Sequence, residues 1–228
     1  MRGVLVAGGT GALGAGVVRV LLDAGYPVTC CWVVEGERER TAREFADADG
    51  LTLVEADLMT PAGAHAAVAA TDDIGAVINL VGGFASGPRA HETDLDAYEK
   101  MLTLNLRPGF LLVRAAFPKL LDAGGGAYVG VSARPAFKPF KGAAPYVTAK
   151  AAVLAFVQAL DADYRDDGIR CNAVVPSVID TPANRSQQPD ADHSKWVRPD
   201  EIGRVIRFLI SDESAPTSGA AVPVYGRA

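Results

Sequence analysis

The stretch Gly3-Val-Leu-Val-Ala-Gly-Gly-Thr-Gly-Ala-Leu-Gly-Ala-Gly16 opens the chain and decides its fold. It begins with an apolar run typical of a buried strand, and a helical pattern follows directly after the glycines. Glycines at such a junction let the backbone turn sharply and approach a phosphate closely, while the helix start offers unpaired N–H groups and a positive dipole end. The stretch therefore predicts a dinucleotide-binding unit.

Strand-like and helical segments alternate along the rest of the chain. We predict strands at 3–7, 27–34, 51–55, 74–81, 126–132, 169–175 and 220–225. We predict helices at 12–24, 37–47, 61–70, 94–121, 146–166 and 199–211. This alternation implies a doubly wound, Rossmann-type α/β fold, with a seven-stranded, mostly parallel sheet and helices on both faces. A chain of 228 residues needs only a single domain, 1–228, for such a fold.

Composition narrows the classes of function. Acidic residues outnumber basic ones by 27 to 22, which disfavours nucleic acid as the main ligand. No run of apolar residues is long enough for a membrane span, and the first residues lack the pattern of a secretory signal. Cys30, Cys31 and Cys171 show neither disulfide-like nor metal-like spacing. We therefore expect a soluble, unprocessed, cytoplasmic protein that binds neither metal nor membrane.

Tyr146-Val-Thr-Ala-Lys150 places a phenol and an ammonium on one face of a predicted helix. Because a phenol with a pKa near 10 is a poor acid–base catalyst at neutral pH, we expect Lys150 to lower the pKa of Tyr146. The pair follows a strand that ends at Ser132, and ligands of parallel sheets bind beyond the carboxyl ends of their strands. We interpret the pair as catalytic, with a surface helix pair as the alternative.

These motifs together resemble the short-chain dehydrogenase/reductase family over nearly the whole chain. Ala7 and Ala12 replace two residues of the usual Thr-Gly-x-x-x-Gly-x-Gly motif, and Ser177 replaces the Gly of a Pro-Gly-x-x-x-Thr motif. The stretch Asn79-Leu-Val-Gly-Gly83 is a degraded form of Asn-Asn-Ala-Gly. The resemblance implies that NAD(P)(H) is held by Gly8, Thr10, Gly11, Ala12, Leu13, Gly14, Asp57, Leu58, Asn79, Gly82, Gly83, Tyr146, Lys150, Pro176, Val178 and Thr181.

The resemblance also implies a role for each of four side chains. Tyr146 would exchange the substrate proton, Lys150 would bind the nicotinamide ribose, Ser132 would orient the substrate oxygen, and Asn105 would relay protons through water. Thirteen residues separate Ser132 from Tyr146, whereas twelve is the common number, so Ala133 could hold the usual position. Pro108 should kink the helix beside Asn105, and an asparagine that only satisfies this kink is the alternative.

Three classes of function remain open. The first is hydride transfer between nicotinamide and the carbonyl or alcohol carbon of a small molecule, as in a ketone or acyl-ketone reductase. The second is suggested by Ile179-Asp-Thr-Pro-Ala-Asn-Arg185, which resembles quinonoid dihydropteridine reductases. Those enzymes generally lack the Ser and the Asn, so Ser132 and Asn105 favour carbonyl chemistry. The third is a non-catalytic NAD(P)-sensing protein, which would typically have lost the Tyr or the Lys.

The end of the second strand bears on the choice of cofactor. Trp32 stands where NAD enzymes of this fold carry an acid, and Glu35 is the nearest acid. Arg38 and Arg40 open the next helix on the same side and could pair with a 2′-phosphate. The pattern favours NADP(H) over NAD(H).

Two expectations concern motion and assembly. Residues 182–198 are polar and carry few apolar side chains, which predicts a mobile lid that orders over cofactor and substrate, with Trp196 reporting its closure. The helix over 151–160 is apolar almost all round, which indicates a subunit interface or a simple core helix. We expect a homodimer or homotetramer, since helices at this place pack between subunits in the family.

Overall fold

A seven-stranded, wholly parallel sheet forms the centre of the protein, which a computed structural model describes over residues 1–227. Its strands are β1 Gly3–Ala7, β2 Val28–Trp32, β3 Leu51–Glu55, β4 Ile74–Asn79, β5 Gly126–Val131, β6 Ile169–Pro176 and β7 Ala221–Val224. The strand order is β3-β2-β1-β4-β5-β6-β7. The order reverses between β1 and β4, and sheets of this type bind ligands in the crevice at such a reversal. The predicted fold class is confirmed.

Helices cover both faces of the sheet. They are α1 Ala12–Asp23, α2 Glu35–Glu44, α3 Pro61–Ala69, α4 Leu95–Asp122, α5 Ala144–Tyr164, α6 Pro182–Gln187 and α7 Pro199–Ile210. Side chains alternate across each strand, so Leu5 joins the core under α3, α4 and α5, whereas Val4 and Val6 join the core under α1 and α7. Burial on both faces explains why the strands read as continuous apolar runs. None of the helices described within residues 1–227 combines the length and apolar character required to cross a bilayer.

Several boundaries differ from the predicted ones. Strand β2 ends at Trp32 rather than at residue 34, and α2 begins at Glu35 rather than at residue 37. Helix α6 lies inside the predicted lid, where no helix was expected; Thr181 caps it and Pro182 occupies its first turn. Both features are typical helix starts, but six residues are too few to show an apolar period.

Close contact between α1 and α7 fixes the helix that follows the glycine-rich turn. An ideal Cβ on Gly16 of α1 would lie 2.4 Å from the Cβ of Pro199 and 2.9 Å from the backbone nitrogen of Asp200. Gly203 of α7 also lies close to α1, since its ideal Cβ would be 3.2 Å from the carbonyl oxygen of Gly16. The two helices can approach this closely only because both positions lack a side chain.

We predict that Gly16→Ala lowers the free energy of unfolding by about 1 to 3 kcal/mol, because its methyl group would overlap the backbone of α7. Gly36→Ala is the matched control, since Gly36 lies exposed in α2 and an ideal Cβ there would meet nothing within 4 Å. The control should be neutral or stabilising by up to about 1 kcal/mol. Urea unfolding measures both variants, and a Gly16→Ala variant as stable as the control would contradict the proposed packing.

Candidate active site

The glycine-rich turn forms an open helix start at the carboxyl end of β1. Gly8 has a φ of 77°, a conformation that favours glycine, and Gly11 is the N-cap of α1 without any side-chain cap. An ideal Cβ on Gly14 would lie 2.3 Å from the carbonyl oxygen of Gly8, so only glycine fits there. The first turn of α1 contains no acid. Its free N–H groups and positive dipole end therefore fit a pyrophosphate, as expected for Ala12 and Leu13.

The loop after β4 lies directly beside this turn. The backbone nitrogen of Leu80 donates to the carbonyl oxygen of Ala7 over 2.9 Å, and an ideal Cβ on Gly8 would lie 3.2 Å from the nitrogen of Val81. The structure thus brings these two predicted cofactor segments together at the reversal of strand order. Asn79 itself is buried, and its side-chain oxygen accepts from Val81 N–H over 3.2 Å, so its amide supports the turn.

The remaining predicted cofactor residues lie at the same edge of the sheet, and several of their side chains stabilise turns. Asp57 is exposed and accepts from the backbone nitrogen of Met59 over 2.9 Å, while Leu58 is buried. Thr181 caps α6 by accepting from the nitrogen of Asn184 over 3.3 Å. Pro176 ends β6, and the carbonyl oxygen of Val178 accepts from Val197 N–H. In the loops after β3 and β6, backbone groups rather than these side chains therefore remain available to a cofactor.

Asn105 holds the loop after β4 in place. Its Oδ1 accepts from the backbone nitrogen of Gly83 over 3.2 Å, and its Nδ2 donates to the carbonyl oxygen of Gly83 over 3.3 Å. An ideal Cβ on Gly82 would lie 2.6 Å from Asn105 Oδ1 and 3.0 Å from Lys150 Nζ. Asn105, Gly82 and Lys150 therefore meet in a space that no side chain at position 82 could share.

Tyr146 and Lys150 lie in the first turns of α5, and both side chains are largely buried. Lys150 Nζ lies 6.0 Å from the centroid of the Tyr146 ring and donates to the carbonyl oxygen of Val131 over 3.0 Å. Burial lowers the pKa of Lys150 to about 8 and raises that of Tyr146 to about 12. Burial therefore sets the direction of the Tyr146 shift in this structure, and the expected lowering of this pKa by Lys150 stays a prediction.

Ser132 does not take the position expected for a residue that orients the substrate oxygen. Its side chain is only 1% exposed, and its hydroxyl donates to the backbone carbonyl of Lys150 over 2.7 Å. Ala133 instead packs in one cluster with Tyr146, Met101 and Ala149. The hydroxyl of Ser132 thus anchors α5 to the end of β5, and the neighbour of the phenol on this side is a methyl group.

Helix α2 brings two charged side chains to the glycine-rich turn. The hydroxyl of Thr10 donates to Glu37 over 3.0 Å, and Arg40 donates to the carbonyl oxygen of Thr10 over 2.7 Å. Arg38 is paired with Glu35 and lies over the ring of Trp32, 5.7 Å from its centroid. The sequence analysis did not single out Glu37, because α2 was expected to begin at that residue. The helix begins two residues earlier, at Glu35, and Glu37 faces the glycine-rich turn.

The segment predicted as a lid is anchored at its end. Trp196 and Val197 are buried, Val197 bridges to Ile179, and the rings of Trp196 and His193 have centroids 4.3 Å apart. The prediction that apolar contacts are too few to hold residues 182–198 is therefore wrong for its last residues. Residues 182–195 are mostly exposed, so any movement of a lid would be restricted to them.

Two phenylalanines that the sequence analysis did not single out border the site. Phe84 follows β4, whereas Phe140 precedes α5, and both side chains are exposed. The ring of Phe84 packs edge-on against Tyr146, with centroids 4.9 Å apart. Aromatic residues in an irregular loop carry no periodic signal, and only their sequence position between predicted site motifs would have indicated a role.

Comparison with known proteins agrees with this architecture. The family model for short chain dehydrogenases matches residues 2–192. The chain therefore belongs to the short-chain dehydrogenase/reductase family, and it is an NAD(P)-dependent oxidoreductase.

Similar proteins support the assignment along the whole chain. The 2-(R)-hydroxypropyl-CoM dehydrogenase of Xanthobacter autotrophicus is 31% identical, with 99% of this chain and 97% of that protein covered. The acetoacetyl-CoA reductase of Shinella zoogloeoides is 27% identical, with 99% and 97% covered. A short-chain dehydrogenase/reductase from Mycobacterium ulcerans shares the fold with a TM-score of 0.93 at 21% identity, covering 99% of this chain and 89% of that one.

We predict that Ser132→Ala leaves turnover within about tenfold of the wild type, because the hydroxyl bonds to α5 and not to the space before Tyr146. It should lower the free energy of unfolding by about 1 kcal/mol through the lost buried hydrogen bond. Steady-state kinetics and urea unfolding test the two effects separately. A hundredfold loss of kcat at unchanged stability would instead restore Ser132 as a group that contacts substrate.

Proposed function

We propose that the protein reduces a carbonyl group of a small molecule with a hydride from NAD(P)H, or catalyses the reverse alcohol oxidation. The observation that carries this proposal is a buried phenol, Tyr146, beside the ammonium of Lys150 at the edge of the sheet where the cofactor segments meet. The bound nicotinamide supplies the hydride. Tyr146 supplies the proton to the substrate oxygen in reduction and accepts it in oxidation.

Burial makes Tyr146 a weaker acid than a free tyrosine. Because its pKa is raised to about 12, the phenol holds its proton at neutral pH. Donation to a substrate oxygen leaves the phenolate, and oxidation of an alcohol begins from it, so burial disfavours this form in both directions. Lys150 and a positively charged nicotinamide would oppose this effect by stabilising the phenolate.

The other site residues position these groups. Asn105 fixes Gly83 and lies next to Lys150, a place suited to the proton relay that the family resemblance implies. Ser132 holds the backbone of Lys150, so we assign it a positioning role. The open start of α1 takes the pyrophosphate, and Lys150 takes the nicotinamide ribose.

A second candidate, reduction of a quinonoid dihydropterin, is favoured by one observation. Ala133 rather than a serine packs against Tyr146, and the absence of that serine is what sets pterin reductases apart in the family resemblance. The earlier preference for carbonyl chemistry rested on Ser132 and Asn105 together, and the geometry removes the first of these two supports. Asn105 and the dehydrogenases found among similar proteins still favour the carbonyl reaction.

We predict that Tyr146→Phe lowers kcat at least about a hundredfold and changes cofactor affinity little, because it removes the proton donor but keeps the ring. The substrate panel consists of ketones, β-ketoacyl thioesters and quinonoid dihydropterin, each with NADPH and NADH and followed at the nicotinamide absorbance. Tyr26→Phe is the matched control, since Tyr26 precedes β2 at the opposite edge of the sheet.

The same panel separates the three functions. Reduction of ketones or thioesters that depends on Tyr146 supports the leading proposal, and reduction of the pterin alone supports the second candidate. Cofactor binding without any turnover would instead identify an NAD(P)-sensing protein. Wild-type kcat in the Tyr146→Phe variant would exclude the proposed role of the phenol.

We also propose NADP(H) as the preferred cofactor. Arg40 lies at the glycine-rich turn through its bond to the Thr10 carbonyl, where a guanidinium can pair with a 2′-phosphate. Glu37 bonds the Thr10 hydroxyl and acts in the opposite direction, because a carboxylate favours free ribose hydroxyls and repels phosphate. The balance between these two side chains decides the preference.

We predict a higher kcat/KM with NADPH than with NADH. A separate variant tests the contribution of each of the two charged side chains. Arg40→Gln should lower kcat/KM for NADPH about tenfold with little change for NADH, whereas Glu37→Gln should raise it for NADPH. The six values of kcat/KM, for the wild type and both variants with each cofactor, are measured with one substrate at fixed ionic strength. A tenfold preference of the wild type for NADH would show that Glu37 outweighs Arg40.

We propose that any lid is restricted to residues 182–195. We also propose a homo-oligomer formed through α4 and α5. Phe110 of α4 is 51% exposed, and its ring centroid lies 6.4 Å from that of the half-buried Phe156 on α5, so an aromatic patch spans the two helices. Such a patch fits a subunit interface.

A further inference from the structure

Two aromatic rings beside Tyr146 are left open to solvent. Phe84 and Phe140 are 54% and 45% exposed. Their ring centroids lie 6.5 Å apart, and Phe84 in turn contacts Tyr146. An apolar surface thus runs from solvent to the proposed proton donor. We call these two residues the aromatic rim.

The aromatic rim belongs to two loops that are fastened to each other. The backbone nitrogen of Gly87 donates to the carbonyl oxygen of Gly142 over 2.8 Å. Gly142 has a φ of 80°, and an ideal Cβ there would lie 2.2 Å from the carbonyl oxygen of Gly87. The loops can meet this closely only through glycine, and their junction holds Phe84 and Phe140 on the same side of the entrance.

The charge of the rim is basic, although the chain as a whole is acidic. Lys138 and Lys141 flank Phe140 in the sequence and are exposed, and neither lies within ion-pair distance of a side chain in the described part of the chain. Arg89 of the facing loop pairs with Glu92. Two ammonium groups that pair with no acid among the described residues therefore stand within two residues of Phe140 in the chain.

We propose that the site selects a planar aromatic ligand that carries an anionic group, its ring packing against Phe84 and its anion lying near Lys138 and Lys141. Because Phe84 contacts Tyr146, a carbonyl attached to that ring would lie close to the phenol. Exposed phenylalanines favour aromatic over saturated rings, and unpaired lysines favour anions over neutral groups. This inference rests on the proposed function for the identity of the site, and it names the substrate class.

Binding of unreactive ligands tests the proposal without turnover. We would titrate the protein, saturated with NADP⁺, with 2-naphthoate, with the neutral 2-naphthamide and with the saturated decahydro-2-naphthoate. The naphthoate should bind at least about tenfold more tightly than the saturated acid and several-fold more tightly than the amide. Equal affinity for the three ligands would overturn the proposal.

Variants assign each preference to its side chains. Phe84→Leu should reduce the preference for the aromatic over the saturated acid about two- to tenfold, whereas Phe208→Leu, which changes an exposed phenylalanine on α7, should leave it unchanged. Changing Lys138 and Lys141 to Gln together should weaken naphthoate but not naphthamide. A Phe84→Leu variant that weakens both acids equally would contradict an aromatic contact.

Other uses of the rim give different results. If the phenylalanines contact a second copy of the chain, sedimentation should show that Phe84→Leu changes the oligomeric state, and this result overturns the proposal. Naphthoate binding as expected, in a protein that reduces no member of the substrate panel, would refute the proposed function and leave the ligand class standing. Carbonyl reduction together with equal ligand affinities would refute the ligand class alone.

Discussion

Two hydrogen bonds in opposite directions join the end of β5 to α5, and the chemistry of the site depends on them. Lys150 Nζ donates to the carbonyl oxygen of Val131, and the hydroxyl of Ser132 donates to the carbonyl oxygen of Lys150. The first bond holds the side-chain ammonium of Lys150, and the second holds the backbone of the same residue. Since Tyr146 lies one turn earlier on the same helix, its position relative to the sheet is fixed as well. Gly82 and Asn105 pack beside Lys150, which these two bonds hold in place.

Burial sets the character of this centre more strongly than the attraction between charges. Loss of water raises the pKa of Tyr146, although Lys150 Nζ lies 6.0 Å from the centroid of its ring. The same loss of water lowers the pKa of Lys150. The glycine-rich turn differs from this centre, because the first turn of α1 contains no ionisable group and offers only its backbone dipoles to a ligand.

The sequence was sufficient for the sheet, the layers and the edge at which the site lies, because these follow from the alternation of strands and helices and from where the motifs stand. It was not sufficient for the direction of single side chains. The hydroxyl of Ser132 bonds to α5, and the next residue, Ala133, packs in the cluster with Tyr146 where Ser132 was expected. Successive residues at a strand end point to opposite sides, so an error of one residue reverses the direction of the side chain. It also missed the burial of Trp196, because the polar composition of residues 182–198 does not indicate that this ring is packed.

The contact between Gly16 and Pro199 joins the helix that follows the glycine-rich turn to the segment predicted as a lid. Pro199 begins α7 two residues after the buried Val197, and its side chain lies against α1. The exposed residues 182–195 are therefore attached to α1 through Trp196, Val197 and α7. A shift of α1 would move this attachment point, so a ligand bound at the start of α1 would displace the segment without touching it.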